Sequence, residues 1–204
     1  MEVSLGFTEA IMSRPAEKKL MKPPYRVQQA FLQLEFSIKL FRYFEKGLVD
    51  KDAFDCVTDI PTTHGRVRLA ADAFHTPVDL VLAAQNVYSS TLGVCAIAMD
   101  SALSDHSIDR NPSDRSPQGQ LRTFVYQLRN AFAHDAMTPS WHVKGQHRQI
   151  LDLRKFGLPA LVDLRELDGQ AVELDQFGGF PALEAVRDSV TRWVSTGSPL
   201  PPKA

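Results

Sequence analysis

Apolar side chains recur at helical intervals in four stretches of the chain. From 25 to 47, Val27, Ala30, Phe31, Leu34, Ile38 and Phe41 follow the i, i+3, i+4, i+7 rhythm, with Leu48 just beyond and Gly47 as a natural C-terminal stop. Leu32, Phe36, Leu40 and Tyr43 draw a second apolar face on the same helix. A helix apolar on two faces is packed on two sides, as in a bundle or a dimer. A second helix opens at Thr76-Pro77, an N-cap followed by proline at the first helical position, with Asp79 in the first turn, and runs to about 104. Its small residues Ala83, Ala84, Gly93, Ala96 and Ala98 let another helix approach closely. A third helix spans about 118–136, with Leu121, Phe124, Val125, Leu128, Ala131 and Phe132 on its core face and Pro139 closing it. Pro181 begins the last, 181–194, whose Leu183, Val186, Val190, Trp193 and Val194 share one side.

Elsewhere the period changes or fades. Residues 1–24 read as an N-terminal arm, locally basic through Arg14, Lys18, Lys19 and Lys22 against Glu17, and ended by Pro23-Pro24. Residues 49–76 read as a loop with short helical pieces. The Ser-, Asp- and Pro-rich run 104–117 is a polar loop. Alternation from 147 predicts strands near 147–154, 161–167 and 170–176, the last two joined at Asp168-Gly169 by a two-residue hairpin turn. The fold class predicted is mainly α: a helical bundle over 25–140, then a small β-meander and final helix over 141–196 packed on it, with Trp141 covering one end. A disordered tail is expected over 197–204.

Composition narrows the function. A net charge of −1 and pI near 6.6 exclude a basic nucleic-acid coat, so any nucleic acid must meet a local patch. Two cysteines, Cys56 and Cys95, give no disulfide framework and read as reduced thiols of a cytoplasmic protein. No secretory leader is legible, since Glu2 stands where a basic region belongs. The apolar run 78–103 is broken by Asp79, Gln85, Asn86, Ser89, Ser90 and Asp100, so it reads as a buried helix and no membrane partner is expected. The chain has no G-x-S-x-G, Walker loop, G-x-G-x-x-G, H-E-x-x-H or paired C-x-x-C, and His64 and His75 lack companions at ligand spacing. No metal and no cofactor are expected.

The stretch "LRNAFAHDAMTP", 128–139, sets Arg129, Asn130 and His134 close together in an otherwise apolar helix. Metal-free RNA cleavage needs a group of near-neutral pKa to move protons and a fixed cation for the charge on the phosphorus oxygens. Histidine supplies the first and arginine's planar fork the second. Asn130 would orient the phosphate or the imidazole. Five residues of helix turn through roughly 500°, so Arg129 and His134 point about 140° apart. They converge only if the helix end unwinds or a second subunit completes the site. Asn130 and His134, at i, i+4, share a face. His142, Lys144, His147 and Arg148 form the best basic cluster in the chain and are candidate RNA-binding residues.

The hexapeptide RNAFAH resembles the R-x4–6-H signature of HEPN domains, in the form with a polar residue after the arginine. Chance alone supplies about one such pairing in a chain like this. A second, Arg68 with His75, lacks the polar neighbour and the late-helix position. The resemblance covers about 25–136 and implies a dimeric α-helical bundle. It implies a cytoplasmic, metal-independent endoribonuclease, a toxin or defence effector, with Arg129, Asn130 and His134 catalytic, acting as a homodimer on RNA beside an antitoxin or other protein partner. The alternative is a non-catalytic HEPN-like dimer that binds a partner chain, a nucleotide or RNA. The bland reading pairs Arg129 with Asp135 or with an acid of a partner subunit and leaves His134 as a helix cap.

Overall fold

A computed structural model describes residues 22–63 and 65–200. Four long helices carry the fold. Helix α1, Pro23–Glu45, starts at the two prolines that were expected to end the preceding segment; Lys22 caps it, and the rest of the basic arm lies outside the described residues. It ends in a Schellman-type turn, where the Gly47 amide donates to Phe44 and the Leu48 amide to Tyr43, with Gly47 at φ +64°. Its first apolar face is buried, Val27, Ala30, Phe31 and Leu34 being at most 5 % exposed. The second face is packed only at Leu40, which is half-buried against Phe44, Leu80 and Ala84; Leu32, Phe36 and Tyr43 are 58, 67 and 56 % exposed.

The stretch expected as loop holds the short helix α2, Lys51–Phe54, capped by the Asp50 carboxylate, and an antiparallel pair, β1 Thr58–Thr62 and β2 Gly65–Leu69. Every described residue of this hairpin is exposed, with Ile60 paired to Val67, so no inward face marks it in the sequence. His64 lies outside the described residues. Arg68, of the second Arg–His pairing, sits on this exposed strand and not on a helix.

Helix α3, Pro77–Asp105, begins with a capping box between Thr76 and Asp79 and is the central element, packing on α1, on the helix Pro117–His134 and on the final helix Gly179–Thr196. Among the described residues it is the one helix long and apolar enough to cross a membrane. Leu80, Ala84, Cys95, Ala96, Met99 and Leu103 are buried as expected, but Val87, Val94 and Ile97 remain 43–46 % exposed. Helix α4, Pro117–His134, is capped by the Ser116 hydroxyl, which accepts from the Gly119 amide. Helix α6, Gly179–Thr196, buries Ala182, Leu183, Val186, Val190 and Val194.

The predicted meander is corrected most. Only β3 Ile150–Leu151 and β4 Val162–Asp163 pair, with one-turn helix α5 at Leu164–Leu167 and 3-10 turns at Gly145–His147, Arg154–Phe156 and Leu174–Phe177. The alternation was real in its burial: Gln149, Leu151 and Leu153 face inward. It failed as a ladder because the backbone finds partners elsewhere. The Asp163 side chain accepts from the Arg165 amide and winds 164–167 into a turn. Residues 169–172 pair instead with 139–141, through Gly169 N to Trp141 O at 2.8 Å, Trp141 N to Gln170 O at 2.9 Å and Val172 N to Pro139 O at 2.9 Å. The turn expected at Asp168-Gly169 does form, the Gln170 amide donating to the Leu167 carbonyl at 2.9 Å with Gly169 at φ +80°, but it joins no strand pair. The segment nonetheless plugs the bundle as expected: Trp141, Val143, Leu151, Leu153, Val162 and Leu164 have no exposed surface, and Trp141 Nε1 donates to Gln176 Oε1 at 2.7 Å. The tail expected to be disordered is packed over 198–200, where Pro199 is buried and its carbonyl accepts from Arg192; residues 201–204 lie outside the described residues.

Candidate functional site

Helix α4 presents Tyr126, Asn130 and His134 four residues apart on one stripe, at its solvent edge. The chain returns along that stripe as 141–148. Trp141 and Val143 anchor it in the core, the Val143 amide donates to the Asp168 carboxylate at 2.9 Å, and Asn130 Nδ2 donates to the His142 carbonyl at 3.2 Å. The 3-10 turn at Gly145–His147 then brings His147 against Tyr126, ring centroids 5.2 Å apart. Helix and loop enclose a cleft of about 320 Å³, lined by Tyr126, Gln127, Asn130, His134, His142, Lys144 and His147.

Five of the residues singled out in the sequence therefore meet in one place: Asn130, His134, His142, Lys144 and His147. The His134 and His142 rings are in contact, centroids 4.3 Å apart and tilted by 58°, and His142 Nε2 lies 3.3 Å from the Ser140 hydroxyl. Burial holds the His147 imidazole below its ordinary pKa and so favours its neutral form. Two buried polar atoms on the cleft wall have no hydrogen-bond partner, Gln127 Oε1 and His147 Nδ1.

Arg148 is not part of the cleft. It spans to Asp168 Oδ2 at 3.2 Å and the Arg165 carbonyl at 2.9 Å, where it ties the loop to α5.

Arg129 also stands apart. Helix α4 stays wound to His134, so no unwinding brings the two side chains together. Arg129 turns toward α3 and comes within 4.0 Å of Asp100 Oδ2. Asp100 is 4 % exposed and also accepts from Arg122 at 2.7 Å and Arg110 at 2.6 Å, while Arg122, 2 % exposed, reaches the Ile108 carbonyl and the Ser104 hydroxyl. Three guanidinium groups share one carboxylate, so the group keeps an excess of positive charge. Arg110 places it beside the cleft, its guanidinium 4.6 Å over the Tyr126 ring. Of the partners named under the bland reading, Asp135 does not pair with Arg129; it caps the next turn by accepting from the Met137 and Thr138 amides and the Thr138 hydroxyl.

Sequence reading passed over Tyr126, Gln127, Asp100, Arg110 and Arg122. The one available signal was Gln127 and Arg122 standing among the core positions of α4, where an unpaired polar group is costly. Among the described residues no group of three or more His, Cys, Asp or Glu is arranged to hold a metal ion. A larger cleft, about 780 Å³ between Tyr88, Phe132, Pro139, Val172 and Leu174, contains none of the nominated residues. The smaller cleft is the stronger candidate because it concentrates titratable and unpartnered groups, which volume alone does not. No known family, no curated protein and no solved structure matches this chain.

Proposed function

We propose that the protein is a metal-independent endoribonuclease of the HEPN type, acting as a homodimer at the α4 cleft. The convergence of Asn130, His134, His142 and Lys144 on one wall-to-wall site carries this reading. His134 takes the proton from the ribose 2′-hydroxyl. The 2′-oxygen–phosphorus bond forms, the bond from phosphorus to the 5′-oxygen breaks, and His142 delivers a proton to that leaving oxygen. Lys144 meets the charge on the non-bridging oxygens. Asn130 is a positioning residue, since its amide holds the His142 backbone.

Arg129 points away from its own cleft, so it acts on a phosphate held by the second copy. Exposed apolar residues offer that copy a surface: Leu32, Phe36 and Tyr43 on α1, and Val87, Val94 and Ile97 on α3. The test is purified protein with RNA in EDTA, beside His134→Ala, His142→Ala and Arg129→Ala. Wild type should leave 2′,3′-cyclic phosphate and 5′-hydroxyl ends, and each variant should lose on the order of 10²-fold or more in rate. Equal activity in all four preparations removes the reading.

One observation favours a second reading, a dimer that binds nucleotide or RNA without cutting it. The His134 and His142 rings touch at 4.3 Å, which leaves no space for a phosphate between them in this arrangement. Under that reading RNA is retained intact and both histidine variants weaken binding.

A further inference from the structure

The catalytic reading uses the imidazoles and the ammonium at the cleft but leaves its wall unexplained. Gln127 is 1 % exposed, on a helix whose neighbouring buried positions are Phe124, Leu128 and Ala131. A leucine there would fill the same space without cost. Instead the side chain buries a carbonyl oxygen with no partner, and across the cleft His147 buries Nδ1 with no partner. Each orphan costs free energy in the empty protein, and a bound molecule that supplies hydrogen bonds removes that cost.

We propose that Gln127 and His147 form a base-recognition subsite, and that it takes a nucleobase presenting an exocyclic amine beside a ring nitrogen, adenine or cytosine. The unpartnered Gln127 carbonyl accepts from the amine, and its amide N–H donates to the ring nitrogen, the pairing by which this side chain reads adenine. His147 Nδ1 takes the remaining edge; in the neutral ring, which partial burial favours, that nitrogen accepts in one tautomer and donates in the other. Volume and chemistry agree: about 320 Å³ takes one nucleoside. His134, His142 and Lys144 line the same cleft, which puts imidazole rings and an ammonium within the site that would receive the base and its phosphate. Inosine and uracil carry a carbonyl in place of the amine and would set oxygen against oxygen.

This subsite rests on the nucleolytic reading for its biological meaning but not for its test. Titrate the full chain calorimetrically with AMP, CMP, IMP and UMP, and repeat with Gln127→Leu and with His134→Ala. AMP or CMP should bind about tenfold more tightly than its carbonyl counterpart, AMP against IMP and CMP against UMP. The pair that discriminates identifies the base. Gln127→Leu should erase the discrimination. Its ligand-free melting temperature should equal or exceed that of wild type, because the orphaned carbonyl is gone. His134→Ala, which removes an imidazole from the cleft but not the Gln127 amide, should weaken all four nucleotides alike and so leave the AMP-to-IMP and CMP-to-UMP ratios unchanged; loss of the ratio in this variant would place the base reading on His134 and overturn the subsite. Equal binding of all four nucleotides, no binding of any, or discrimination that survives Gln127→Leu overturns the subsite. Discrimination without RNA cleavage leaves the subsite standing and removes the nuclease. Cleavage without discrimination does the reverse.

Discussion

Removing Asp100 tests the polar core that aims Arg129. Arg122 is 2 % exposed and its charge is met at 2.7 Å by Asp100, itself 4 % exposed. Asp100→Ala leaves a buried guanidinium without its counter-ion, a change that costs about 3–5 kcal/mol in comparable sites. Arg122 keeps the Ile108 carbonyl at 2.9 Å and the Ser104 hydroxyl at 3.2 Å, and Arg110 is half-exposed and can turn to water. The lower end, about 3 kcal/mol, is therefore expected, which for a chain of this size lowers the melting temperature by roughly 6–12 °C. Urea denaturation followed by circular dichroism measures it, with an unchanged m-value as the check on two-state behaviour. The double variant Asp100→Ala with Arg122→Met should recover most of the loss, because a buried pair replaced by apolar side chains is close to neutral. A single variant that loses less than about 1 kcal/mol, or a double variant no more stable than the single, would refute the reasoning.

Two further outcomes follow from His147, which is half-buried, and Cys95, which is buried. Burial holds His147 below its ordinary pKa of 6.5, so the unfolded chain binds its proton first as pH falls. Its stabilising share is complete above that value and is lost as pH falls from there through the folded-state value; His147→Gln should flatten the stability profile in that window, and an identical profile would contradict it. Burial also pushes the Cys95 thiol up to about 12, whereas Cys56 is exposed. A thiol reagent at neutral pH should titrate one cysteine in the folded protein and both in denaturant; rapid reaction of two in the folded state would place Cys95 at the surface.

The long helices were legible because burial repeats at helical spacing whatever the tertiary partners are. Val27, Phe31 and Leu34 on α1, or Leu121, Phe124 and Leu128 on α4, needed only to find an interior. The region from 141 to 177 was not, because alternation fixes which side chains go in but not where the backbone finds its partners. There Asp163 and Asp168 bind main-chain amides and redirect the chain. The hairpin β1–β2 escaped for the opposite reason, having no buried face at all. In the cleft, Asn130 with His134 could be placed from the i, i+4 rule, and the angular offset of Arg129 likewise. Arg148 could not be told from its neighbours, since its partner Asp168 lies twenty residues on. Gln127 was marked in the sequence only as a polar residue at a core position of α4; that its carbonyl lacks a partner needed the fold.

The claim that two chains share one site is tested most directly by complementation. Mix Arg129→Ala and His134→Ala proteins in equal amounts, allow subunits to exchange, and measure RNA cleavage in EDTA against each variant alone. A heterodimer then holds one site with both an intact imidazole and an intact guanidinium, so the mixture should regain roughly a quarter of wild-type activity from two inactive preparations. If the mixture stays as inactive as its components while wild type cleaves, the two groups do not act across an interface and the shared site is wrong.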